Sequence, residues 1–161
     1  MSLKKVVVLL LAVSMLIGAA SVSTSAEAAK KKYTNREVKL LASIIFCEAG
    51  NQSYAGKLAV GCVVMNRKRS RSFPNTVEGV IRQKGQFGPV SSGKFKRELK
   101  KYKKGAYKKG ARKQCVKAAK EALSGQGYVK TRGKKVNMRR YHFFNGHLRR
   151  AKLRIGGHDF K

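Results

Sequence analysis

Val38, Leu41, Ala42, Ile45 and Ala49 recur at helical spacing, the repeat of a helix that buries one side. Thr34 and Glu37 stand three apart before them, as in a capping box, and Gly50-Asn51 suit a left-handed C-terminal cap. A second helix is predicted from a Ser53 cap to about Ser70. Leu58, Cys62 and Met65 line one face of it, and Ala59, Val60, Val63 and Val64 widen the apolar arc. Arg67, Lys68, Arg69 and Arg71 are then expected to face solvent near the negative end of the helix dipole. Thr76 to Arg82 reads as a short third helix. Residues 85–89, Gly-Gln-Phe-Gly-Pro, read as a loop. Cys115, Ala118, Ala119, Ala122 and Leu123 restore helical periodicity until Gly125. Beyond it, Tyr128-Val129, Val136 to Met138, Tyr141 to Phe144 and Leu153 to Ile155 read as short strands between basic turns, followed by a terminal His158-Asp159-Phe160. The pattern predicts an α+β domain, mostly helical, with a small antiparallel β-sheet near the C-terminus.

The start of the chain follows a different grammar. Lys4 and Lys5 precede an apolar run from Val6 to Ala20, and small residues lead to Ala26-Glu27-Ala28. This is the order of a secretory signal peptide, assigned to residues 1–28, and the run is short for a spanning helix. A short basic lead, 29–34, then opens the domain at 35–161. The length left is that of one domain with its own core. Cys47, Cys62 and Cys115 therefore need not form a disulfide framework, and they are read as small buried hydrophobes. No recognised ligand spacing joins them to His142, His147 and His158, so no metal and no cofactor are expected.

Charge narrows the class of partner. The 38 Lys and Arg stand against 7 Asp and Glu, a formal net charge of +31. Such a chain seeks polyanions. The export signal directs that attraction to the anionic polymers of a bacterial envelope, and no specific nucleic-acid motif is present. From Lys94 to Lys113 eleven of twenty residues are Lys or Arg. That run is either a solvated insert or a wall-binding patch.

With so few carboxylates, each can be weighed. Glu37 is explained by capping, Glu78 by the first turn of a short helix, and Glu98 and Glu121 lie among lysines. Asp159 is ambiguous. Glu48 follows Leu41 by seven residues, Ile44 by four and Ile45 by three, so it lies over the apolar stripe of the first helix. Partial desolvation there favours its neutral form and makes it a proton donor near neutral pH.

The run Phe46-Cys47-Glu48-Ala49-Gly50-Asn51-Gln52, continued to Asn66-Arg67, resembles the SleB-type cell-wall hydrolases, the spore-cortex-lytic family. Arg71 to Val77, Gly79-Val80-Ile81, Gly85-Gln86-Phe87, Phe143-Phe144-Asn145 and Ile155 to Phe160 keep that family's order. The resemblance implies a lysozyme-like catalytic domain, with Glu48 as the catalytic glutamate. The bond it implies is that between N-acetylmuramic acid and N-acetylglucosamine in peptidoglycan. Many members carry a second Glu where this chain has Gln52, which can hydrogen-bond a sugar but cannot exchange a proton in the working range. Hydrolysis of either stereochemistry wants a second carboxylate. A lytic transglycosylase needs one, because the muramic acid's C6 hydroxyl is the nucleophile. The lyase reaction is therefore the preferred expectation.

Gln86 and Asn145 offer amides for acetamido and hydroxyl groups, and Phe87 and Tyr141 offer rings for sugar faces, so with Gln52 they form the expected substrate-binding set. Phe144 is expected in the core and His158 as a satisfied structural histidine. The whole predicts a secreted, monomeric enzyme associated with the cell wall or spore cortex. The competing expectation is a non-catalytic cationic protein that binds walls.

Overall fold

The structure is a computed structural model that describes residues 33–161. The expected signal peptide and residues 29–32 of the basic lead lie outside the described residues. Helix α1 (Asn35–Ala49) opens with the predicted capping box. The Thr34 hydroxyl accepts from the Glu37 N–H at 3.1 Å, and the Glu37 carboxylate accepts from the Thr34 N–H at 2.9 Å. Leu41, Ala42, Ile44 and Ile45 are fully buried, so α1 runs through the middle of the domain and surfaces only near its ends. Its exit differs from expectation. Gly50 is right-handed, with φ −57° and ψ −33°. Space is what demands glycine there, since a Cβ would stand 2.6 Å from the Phe46 carbonyl oxygen.

Helix α2 (Tyr54–Arg69) is capped by Ser53, whose hydroxyl accepts from the Gly56 N–H. It packs against α1 and against α6 (Gly110–Leu123), which together enclose the core. Gly61 lets α2 and α6 approach. A Cβ on it would lie 3.1 Å from both Ala122 Cβ and Ile45 Cδ1. Arg67 does not face solvent as expected. It is 3% exposed, because seven residues after Val60 it shares the inward face of Val60, Val63 and Val64.

Between these helices lie α3 (Val77–Arg82), capped by Thr76, a one-turn α4 (Gly88–Ser91) and α5 (Lys94–Lys103). The loop expected over 85–89 thus ends at Phe87. Pro89 is at home in a first helical turn, where no N–H is needed. The basic run 94–113 is α5, a 3₁₀ turn at Ala106–Lys108 and the start of α6. Glu98 is correspondingly not among exposed lysines. It is buried beneath them, accepting from Lys101 Nζ at 2.9 Å, Arg112 Nε at 3.0 Å and the Tyr107 hydroxyl at 3.1 Å.

The single expected sheet is two. Strands β1 (Tyr128–Thr131) and β2 (Lys134–Asn137) form a hairpin that buries Val129 opposite Val136. Strands β3 (Phe144–Asn145), β4 (Leu153–Ile155) and β5 (His158–Phe160) form an antiparallel sheet in the order β3-β5-β4. Tyr141 to Phe143, expected in a strand, are irregular. The terminal His158-Asp159-Phe160 is the central strand, with Phe160 opposite Phe144 and Leu153, and Asp159 opposite Asn145 and Arg154.

Candidate functional site

Glu48 sits one residue before the end of α1, where the helix emerges from the core. Phe46, Cys47, Glu48, Gly50, Asn51, Lys94 and Ala111 line an open cleft of about 530 Å³ there. The carboxyl is half-buried, and burial pushes its pKa above the ordinary carboxylate range against the pull of the Lys94 ammonium. Lys94 is held in place by its hydrogen bond to the Cys47 carbonyl at 3.1 Å. Phe46, which also lines the cleft, is held by stacking. Arg112 lies 4.1 Å over the Phe46 ring, and Glu98 orients Arg112.

Among the described residues the other carboxylates are engaged or elsewhere. Glu78 is bridged by Arg36 at 2.6 Å and Arg82 at 3.0 Å. Glu37 serves the α1 cap and Lys68. Asp159 is 5% exposed and accepts from Arg154 and from the Leu148 N–H, both at 3.1 Å. Glu121 lines a separate opening with Tyr54 and Tyr128. Cavity size does not pick out the chemistry. An opening of about 590 Å³ at the start of α1, lined by Arg36, Lys39, Lys103 and Lys120 among others, contains no carboxylate. Cys47 beside Glu48 offers no nucleophile, because burial pushes its thiol up to about 11. All three cysteines are buried and free.

The expected substrate-binding residues are connected through the small sheet. Gln52, four residues past Glu48, accepts from the Gly157 N–H at 2.9 Å and donates to Asn51 Oδ1 at 3.1 Å. Its amide is thus a strut between the α1–α2 corner and the β4–β5 turn. Gly156, at φ +58°, leaves room for it, since a Cβ there would stand 2.5 Å from Gln52 Oε1. Next along the chain, His158 packs edge-on against Phe144 at 5.3 Å, and Phe144 lies 6.2 Å from Phe87. Phe87 is 3% exposed, and its ring packs in the core beside Phe144. Gln86 beside it is half-buried, Asn145 is exposed and accepts from the Gly146 N–H, and Tyr141 lies edge-on to Phe160 beside a second opening with Asn137 and Arg140. His158 is not the satisfied histidine expected: among the described residues its buried Nδ1 has no hydrogen-bond partner, and burial pushes its pKa down.

Several residues that shape the site escaped the sequence reading. Lys94 is indistinguishable within a run of lysines. Asn66 and Arg67 carried a usable signal, since Asn66 continues the face of Leu58, Cys62 and Met65, and Arg67 that of Val60 and Val63.

Residues 51–161 match the family described as Cell Wall Hydrolase, and the chain belongs to that family. The match begins three residues after Glu48. The chain is similar to the spore cortex-lytic enzyme of Bacillus cereus, 39% identical over 63 residues, covering 39% of this chain and 24% of that protein. It is also similar to the spore cortex-lytic enzyme of Bacillus subtilis, 37% identical over 63 residues, covering 39% and 21%. The chain thus spans about a quarter of the length of these curated relatives. The catalytic domain of the Bacillus cereus SleB protein shares the fold, with a TM-score of 0.58 over 80% of this chain and 91% of that one at 24% identity. So does the catalytic domain of the germination-specific lytic transglycosylase SleB from Bacillus anthracis, with a TM-score of 0.57 over 80% and 95% at 24% identity.

Proposed function

We propose that the protein is a secreted enzyme that cuts the glycan strand of peptidoglycan between N-acetylmuramic acid and N-acetylglucosamine. Glu48 acts as its only acid–base. The observation that carries this reading is the half-buried Glu48 carboxyl, which among the described residues has no ion pair and lines an open cleft while the remaining candidate acids are bridged, buried or remote. Protonated Glu48 gives its proton to the glycosidic oxygen as the bond to the anomeric carbon breaks. The C6 hydroxyl of the same muramic acid attacks that carbon and closes a 1,6-anhydro ring, and its proton passes to the Glu48 carboxylate. Glu48 is then protonated again and no water is consumed. Neither Glu78 nor Asp159 is free to activate water or act as nucleophile, which favours this lyase reaction over hydrolysis. The fold shared with a lytic transglycosylase from Bacillus anthracis supports the same choice.

The cations around the start of α1 and along α5, among them Arg36, the half-buried Lys39, Lys96, Lys100 and Lys103, would hold the enzyme on the anionic polymers of the wall or cortex. Residues 29–161 should clear peptidoglycan in a renaturing gel, and Glu48→Gln should not. Clearing by Glu48→Gln would refute the assignment. Fragment masses separate the reactions, since the lyase leaves anhydromuramic ends and hydrolysis leaves reducing ends heavier by one water.

A further inference from the structure

The last turn of α2 turns two polar side chains inward onto one distant segment. Asn66, 4% exposed, donates from Nδ2 to the carbonyls of Met138 at 2.6 Å and Tyr141 at 2.8 Å, while its Oδ1 accepts from Arg69 at 2.8 Å. Arg67 donates from Nε to the His142 carbonyl at 2.6 Å. Two consecutive residues thus tie down the chain from Met138 to His142, which leads directly into β3 and Asn145.

Arg67 has a second set of neighbours. Its guanidinium lies 5.3 Å from the ring centre of Phe73 and 5.4 Å from those of Phe87 and Phe143. Among the described residues no carboxylate forms an ion pair with it, and its Nη1 is buried without a hydrogen-bond partner. Burying a cation without a counter-ion is costly, and a methionine or leucine would fill the same space at less cost. Stability alone is therefore a poor reason for an arginine here. What the guanidinium does, and an apolar side chain would not, is to engage a carbonyl on one segment and an aromatic face on another at once. The first segment carries Tyr141 and Asn145. The second carries Gln86 and Phe87.

We propose that Arg67, with Asn66 bracing the Met138–Tyr141 stretch, is a positioning residue that fixes the Gln86–Phe87 loop relative to the Tyr141–Asn145 segment, so that the two grip a glycan strand as one surface. The proposal rests on the glycan-cleaving reading above. Neither residue needs to touch the sugar. Their loss should weaken the hold on substrate while leaving the chemistry at Glu48 intact.

The test uses soluble, peptide-free glycan strands as substrate. Arg67→Lys keeps the charge but loses the planar fork, and should raise KM by about ten- to a hundredfold, the scale of a misplaced binding group, with kcat within about twofold. Because a buried substitution can impair folding, Phe143→Ala supplies a second probe. Phe143 is 46% exposed and contributes one ring of the cage, so this variant should fold and raise KM severalfold. Val129→Ala, in the other sheet, serves as a stability control and should lower Tm without moving KM. Hydrogen exchange should quicken together at residues 86–87 and 138–145 in Arg67→Lys. An unchanged KM in folded Arg67→Lys or in Phe143→Ala would overturn the proposal, as would an equal KM rise in Val129→Ala. If the wild-type protein cuts no glycan, the functional reading fails instead, and the exchange measurement still decides whether Arg67 couples the two segments.

Discussion

Two opposed influences set the proton affinity of Glu48: burial at the end of α1 raises it, and the ammonium of Lys94 lowers it. An acid catalyst must be protonated, so the alkaline limb of the kcat/KM profile follows the carboxyl in the free enzyme. Replacing Lys94 with Met removes the lowering influence. The folded-state pKa of Glu48 then rises further, and activity should persist to higher pH than in the wild type. A pH–rate profile for wall clearing checks this, and a limb that stays still or moves down would show that Lys94 does not act on Glu48. At this scale the sequence was informative where helix phase decides the environment, as it did for Glu48. It was silent where a contact depends on a distant element. Nothing local told Lys94 from its neighbours, or showed that Gln52 would hold Gly157 or that the Phe87 ring would be covered by Phe144.

Among the elements, the close contact between α2 and α6 is a place to probe. At Gly61 a single added carbon already presses on Ala122 and Ile45, so Gly61→Val should force the helices apart. Overpacking of this kind costs about 1–3 kcal/mol. The better helix propensity of valine returns only about half a kcal/mol. Urea unfolding should show a lower midpoint at unchanged slope, and an unaltered midpoint would mean the two helices have slack there. Helices α1 and α2 were legible because capping side chains and apolar period agree with their burial. The C-terminal strands were not. They are two or three residues long, rich in basic side chains, and acquire their register from partners rather than from alternation. Phe160 is buried because it pairs with Phe144 and Leu153, and no pattern within three residues announces that.

For the whole molecule, composition predicts an attraction to polyanions but not how the charge is distributed. The basic run proved to be a helix laid over a buried Glu98, not a loose insert, and its lysines join Arg36 and Lys39 beside the start of α1. Retention on purified walls should fall steeply between about 150 and 500 mM salt as counter-ions compete. Retention that ignores salt would place recognition in the Glu48 cleft alone. The small sheet adds a temporal consequence. Strand β5 lies between β3 and β4, and the Gly157 N–H that donates to Gln52 stands 105 residues further along the chain. A chain emerging N-terminus first carries Glu48 into solution long before its surroundings exist. The cleft is lined by residues 46–111, so its walls can assemble before β5 is made, and the β4–β5 turn arrives last to brace the α1–α2 corner through Gln52.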